Sequence, residues 1–263
     1  MEWIAALLGW ATGVAVNVVA DSLPVTRRVA RPACPACGAP RPWPAWSAIA
    51  GALSGARRCA YCGRRRSWRA LVVELASAVG AVWLWHHDPT LAGFGQGFLV
   101  GAVLLLIGII DLEHRLILHA VSLPAALLVG AAHALDPARG VTKTLLGGAA
   151  GFVLVLGLYL LGGLFARGVA RLRRRPLEEV AFGFGDVTLS AVIGLAVGWP
   201  GVVLALLLGV LAAGLFSLGY VGWMLVRRRY SAFTPIPYGP FLILGAWAVY
   251  FGGRAAFQPL LGG

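Results

Sequence analysis

Charge is what this sequence has least of. Asp, Glu, Lys and Arg make up 12% of its 263 residues, where a soluble domain carries about a quarter. With 59% of residues hydrophobic and a mean hydropathy of +0.82, this deficit excludes a soluble globular protein and reads as a polytopic membrane protein. Carboxylates are the rarer sign, ten against 22 basic residues, and lysine occurs once, so the net charge of +12 is nearly all arginine. In a soluble chain that excess would point to nucleic acid. Among membrane spans it is what cytoplasmic loops collect, so no nucleic-acid partner is expected. The five histidines show no ligand spacing with other donors and read as interfacial or solvated. No basic stretch precedes the first apolar segment, which begins Met1-Glu2, so a cleaved signal peptide is not expected.

Measured against a span of about 20 residues, the apolar runs give eight candidate transmembrane helices, at 3–20, 70–85, 94–110, 117–135, 145–165, 187–197, 202–226 and 238–251. The expected fold class is therefore all-α. Small-xxx-small pairs at Gly9/Gly13, Gly97/Gly101, Gly147/Gly151 and Gly194/Gly198 read as close helix packing. The basic residues fall on alternate loops: ten in 21–69, one in 111–116, five in 166–180 and three in 227–229, or 19 of the 22. Assigning those loops to the cytoplasm puts both termini outside a plasma (inner) membrane, which agrees with an even number of spans.

That topology places two aspartates on one face at one depth. Asp111 directly follows the apolar run 100–110, and Asp186 closes Gly183-Phe184-Gly185-Asp186 at the start of the sixth span. A carboxylate at a membrane boundary is costly to desolvate and reads as functional by default, and glycines let the chain turn tightly and be approached closely. Two neighbouring carboxylates share a proton. The ionised one can deprotonate water while the protonated one polarises a peptide carbonyl. The bland alternative for Asp186 is a helix cap. Asp111, at a helix C-terminus, sits against the dipole, which weakens that alternative for the pair. Glu113 is an alternative partner.

Cysteine is also scarce, and its four copies form one pattern, Cys34-x-x-Cys37 and Cys59-x-x-Cys62. This spacing supplies four thiolates for a structural zinc ion with no open coordination position. A reducing cytoplasmic location disfavours disulfides, and Gly38 and Gly63, each just past a second cysteine, suit knuckle turns. The division expected is a first helix at 1–20, a cytoplasmic double-CxxC loop at 21–69 and a seven-helix domain at 70–263.

In this order the motifs resemble the type IV prepilin peptidases, bifunctional leader peptidase/N-methyltransferases of the GxGD aspartyl protease class. The resemblance covers nearly the whole chain. Residues 13–19 (Gly-Val-Ala-Val-Asn-Val-Val) are similar to the family's G-S-F-L-N-V-V, residues 73–75 to its V-E-L, and residues 237–242 (Pro-Tyr-Gly-Pro-Phe-Leu) to its P-F-G-P-F-L. It implies that Asp111 and Asp186 are the catalytic pair, supported by the Gly183 and Gly185 turn. It also implies prepilin or pseudopilin substrates with a short basic leader, cut at the cytoplasmic face after a glycine. The new N-terminus would be methylated from S-adenosylmethionine, with the cytoplasmic loop linked to that step. Glu74 and Asn17 each keep two readings, a methyl-transfer role or packing.

The chain departs from the family pattern at Ile117-Leu118-His119, where I-P-N is usual, at Thr188, where a lysine is usual, and at residues 43–49. Two other classes compete. One is a catalytically degenerate homologue serving a pilus or type II secretion system as an assembly partner. The other is a proton-coupled transporter, which would want aspartates near the midplane and inverted repeats; neither is apparent.

Overall fold

The computed structural model describes residues 1–173, 183–227 and 237–252. All regular structure there is helical: α1 Glu2–Thr26, a 3₁₀ turn Trp43–Trp46, α2 Ala48–Leu53, α3 Trp68–His87, α4 Leu91–His114, α5 His119–Ala134, α6 Gly140–Arg173, α7 Phe184–Val197, α8 Gly201–Val226 and α9 Gly239–Phe251. Every apolar run read as a span lies on a helix. Five helices among the described residues are long and apolar enough to cross a membrane: α1, α3, α4, residues Gly140–Phe165 of α6, and α8. The others, α5, α7 and α9, have 16, 14 and 13 residues. At about 1.5 Å per residue they fall short of a hydrocarbon core about 30 Å thick. The arginines at 174, 175, 228, 229 and 254, counted for topology, lie outside the described residues.

The chain divides into two compact units, Met1–Ile110 and Asp111–Gly263. In the first, α1 and α3 pack closely because α1 presents glycine at the crossing. A Cβ on Gly9 would lie 2.7 Å from Ala81 Cβ, and one on Gly13 would lie 2.7 Å from Glu74 Cα. Ser67 caps α3, its side chain accepting from the Arg69 amide at 3.2 Å.

The second unit is built around α7, which packs against α5, α6, α8 and α9. That is why a 14-residue apolar helix without an amphipathic face occurs here: nine of its residues are buried, on all sides. Gly147 and Gly151 of α6 meet the α7 backbone at Gly194 and Ser190, and Gly209 of α8 meets Leu242 of α9. The small-residue stripes Gly9/Gly13 and Gly147/Gly151 are thus crossing points. Gly151→Leu should lower stability by roughly 1–3 kcal/mol through overpacking. Thermal unfolding in detergent measures this, with Gly157→Leu, where a Cβ meets nothing within 4 Å, as the neutral comparison.

One histidine departs from expectation. His133 is fully buried, with Nδ1 2.9 Å from the Val129 carbonyl and Nε2 3.0 Å from the Tyr250 hydroxyl. Because a carbonyl only accepts, Nδ1 carries the proton and Nε2 accepts from tyrosine. This neutral imidazole ties α5 to α9. The ring is buried rather than solvated because both its nitrogens have partners, which no spacing in the sequence reveals.

Candidate active site

The GxGD turn starts α7. Gly183 is its N-cap in extended conformation, and the Asp186 side chain reaches back so that Oδ2 accepts from the Gly183 N–H at 2.9 Å. Asp186 therefore does cap its helix, from the third helical position, while remaining 9% exposed. Gly185 is required by proximity. A Cβ there would lie 2.7 Å from Ile117 Cβ and 3.4 Å from the Ile117 carbonyl oxygen. The absence of a side chain lets the α7 N-terminus come against the short link that follows Asp111. Phe184 orients the turn, with its ring stacked on His119 at 5.7 Å and edge-on to Tyr159 at 6.2 Å.

Asp111 occupies the last turn of α4 and is 5% exposed. Its carbonyl accepts from the Arg115 N–H at 2.8 Å, and Arg115 closes the helix in the left-handed region with φ of 53°. The Asp111 carboxylate lies within the electrostatic reach of Asp186, Arg115 and the Gly239 backbone. Its Oδ2 is buried and completes no hydrogen bond among the described residues. Both aspartates thus lie in one unit, near each other and sequestered from solvent. Glu113 is exposed, so the buried neighbour of Asp186 is Asp111. Thr188, at the position of the family's lysine, donates to the Gly185 carbonyl at 2.9 Å and accepts from Ser122 of α5 at 3.3 Å. It ties the turn to α5 and brings no charge.

The four cysteines converge in the first unit. Their sulfurs all lie within 4.8 Å of one another, with Cys34–Cys62 at 3.6 Å and Cys37–Cys59 at 3.7 Å, and none is disulfide-bonded. A tetrahedron of sulfurs about 2.3 Å from zinc has edges of about 3.8 Å, so the set fits that metal. The two halves are near copies. Gly38 and Gly63 donate to the carbonyls of Cys34 and Cys59 at 2.8 and 2.9 Å, with φ of 71° and 69°. Backbone amides of Ala36 and Cys37 hold the Cys34 thiol down at about 6, and those of Cys62 and Tyr61 lower Cys59, favouring the thiolate at these two, whereas burial and the neighbouring sulfurs push Cys37 up to about 12. Chelation of the purified protein should release one zinc per chain. It should also open the arginine-rich residues 27–69 to trypsin, measured by metal analysis and by the time course of digestion.

Glu74 and Asn17 meet in the same unit. Glu74 is fully buried and accepts from Ser47 Oγ at 2.6 Å, the Ala48 amide at 2.5 Å and the Ile49 amide at 3.0 Å. Asn17 Nδ2 donates to the Ala70 carbonyl at 2.9 Å and to Glu74 Oε1 at 3.5 Å, and Arg66 stands 4.0 Å away. The carboxylate of α3 therefore caps α2 of the cysteine loop and fastens that loop to α1 and α3. Residues 43–49, where the family pattern is lost, supply most of the donors. Ser47 and Arg66 are the functional residues that sequence reasoning missed: one lies in the divergent stretch and the other in an arginine cluster with nothing to distinguish it.

Among the described residues, fold and site together define a helical membrane protein with two buried aspartates in one unit and a four-cysteine cluster in the other. Residues 98–218 match the type IV leader peptidase family, and residues 7–87 match the bacterial peptidase A24 N-terminal domain. The chain is 31% identical over 253 residues to a prepilin leader peptidase/N-methyltransferase of Burkholderia pseudomallei (strain 1026b), covering 92% of this chain and 74% of that protein. It is 30% identical over 226 residues to a protein of the same name from Pseudomonas aeruginosa, covering 82% and 69%. No solved structure matches. The chain belongs to the type IV leader peptidase family.

Proposed function

We propose that this chain is an aspartyl endopeptidase that removes the leader of type IV prepilins or pseudopilins at the cytoplasmic membrane face, with Asp111 and Asp186 as its catalytic pair. The observation that carries this reading is the burial of both carboxylates, within electrostatic reach of each other, in one unit of a family member. Asp186, whose Oδ2 already accepts a backbone hydrogen bond at a helix N-terminus, is the better stabilised anion and deprotonates the attacking water. Asp111, at the end of its own helix and with Oδ2 unpartnered, holds the proton that polarises the scissile carbonyl. The catalytically degenerate reading rests on the altered residues around the motifs, and retention of both aspartates argues against it.

The same reading assigns eight spans, with both termini outside the inner membrane. It divides the chain into a first span at 1–20, a zinc-binding cytoplasmic loop at 21–69 and a seven-span peptidase domain at 70–263. Cys34, Cys37, Cys59 and Cys62 would hold zinc, a structural ion that folds the loop. S-adenosylmethionine would be the donor for methylating the new pilin N-terminus. The partners are the prepilin substrate and the bilayer, without nucleic acid.

Co-expression with a prepilin from the same genome tests the assignment. Conversion to the shorter pilin is expected, with an N-terminal mass carrying one added methyl. Full-length prepilin beside a well-expressed enzyme would overturn the reading for that substrate, and an unmethylated product would overturn the transferase half alone.

A further inference from the structure

Residues 237–242 match the family pattern yet have no place in the chemistry described so far. The structure brings one of them, Gly239, to Asp111. Tyr238 is the N-cap of α9, Gly239 its first residue and Pro240 its second. A Cβ on Gly239 would overlap Asp111 Oδ2 and lie 3.1 Å from its Cγ and 3.5 Å from its Cβ. No glycine elsewhere among the described residues has an Asp111 or Asp186 oxygen so close. The donors at this helix end are also sorted. Phe241 and Leu242 donate to the Tyr238 carbonyl at 3.1 and 3.2 Å, and Pro240 has no N–H, which leaves the Gly239 amide facing the Asp111 carboxylate.

We infer that Gly239 is a positioning residue for the peptidase reaction: its missing side chain lets the N-terminus of α9 close on Asp111 and hold that carboxylate in place for the scissile carbonyl. The inference rests on Asp111 and Asp186 being the peptidase pair. Two features support it together. Asp111 Oδ2 is buried and completes no hydrogen bond among the described residues, so its lone pairs remain available. The Gly239 backbone lies against this carboxylate, where a Cβ would collide with it. The α9 N-terminus also brings a favourable dipole to a carboxylate that ends its own helix unfavourably.

The test is steady-state cleavage of a purified prepilin by purified Gly239→Ala, Gly245→Ala and Asp111→Asn enzymes. Gly245 lies on the same helix against Ala205 and Gly209 of α8, so its substitution disturbs packing away from the aspartates. For Gly239→Ala, kcat is expected to fall about 100-fold, the cost of a misplaced reacting group, with KM held. Gly245→Ala should lower the melting temperature and keep most of kcat. A wild-type kcat for Gly239→Ala beside an inactive Asp111→Asn overturns the inference, and so does an equal loss in both glycine variants. An active Asp111→Asn overturns the peptidase pair itself, a distinct result. If Gly239→Ala is not recovered from membranes, the double variant Asp111→Ala/Gly239→Ala decides. Its recovery locates the conflict at the carboxylate, and its loss where Asp111→Ala alone is recovered refutes it.

Discussion

Asp186→Asn should leave the start of α7 standing and stop leader cleavage. Asn retains a side-chain oxygen that can accept from the Gly183 N–H, the bond now made at 2.9 Å, so the helix cap survives and thermal stability should hold. What the amide loses is the ability to carry and exchange a proton. General acid–base groups contribute roughly 10²–10⁴-fold each, so the cleavage rate should fall at least 10²-fold, followed by gel shift of the prepilin. Asp111→Asn should lose as much. The double variant should lose little more than either single one, because groups that act as a unit are non-additive. Asp186→Ala separates the two jobs: activity is lost as before, and about 1 kcal/mol of helix-cap stabilisation goes with it. An Asn variant that keeps more than a tenth of the rate would sink the pair and leave capping as the residue's role.

The second large effect belongs to Glu74. Truncation to alanine strands the Ser47 hydroxyl, the Ala48 and Ile49 amides and the Arg66 guanidinium in a buried site that now satisfies them. Removing one partner of such a buried set costs roughly 3–5 kcal/mol. The cysteine loop should come away from α1 and α3, exposing Arg57, Arg58 and Arg64 to trypsin within minutes where the parent resists. Glu74→Gln should rescue only in part, because its NH₂ group meets amides that are themselves donors. Methyl transfer provides the contrast. A Gln variant with a trypsin-resistant loop and no methylation would make Glu74 a group of the transfer site, whereas loop release and lost methylation together would make it a fastening.

The helices and their places were legible because membrane insertion leaves a loud signal, about 20 apolar residues per span. All eight apolar runs became helices. The lengths were less legible. Residues 187–197 read as a short span, and only the packing of α7 against four other helices explains a buried 14-residue helix there. The clustering of the four cysteines was readable, since each CxxC turn and the glycine after it dictate their own local geometry. His133 was not readable, because its two partners are set by the fold: Val129 one turn back, and Tyr250 more than a hundred positions away. Glu74 was readable as an intramembrane acid but not as a cap, because its donors come from a loop whose own sequence gives no hint of where it docks.

By itself, then, the sequence determined the class: an all-helical membrane chain with a four-cysteine cluster and two aspartates whose motifs resemble a known peptidase pattern. These follow from composition and from spacings of a few residues, where local chemistry suffices. Tertiary structure alone decided what stands around the pair. Gly185 yields to Ile117, Thr188 is tied to Ser122, and Gly239 lies against Asp111 Oδ2. None of these partners is near in sequence, and the contacts at Gly185 and Gly239 exist because the chain approaches more closely there than a side chain would permit. Such proximity is a property of packing, which no local pattern encodes.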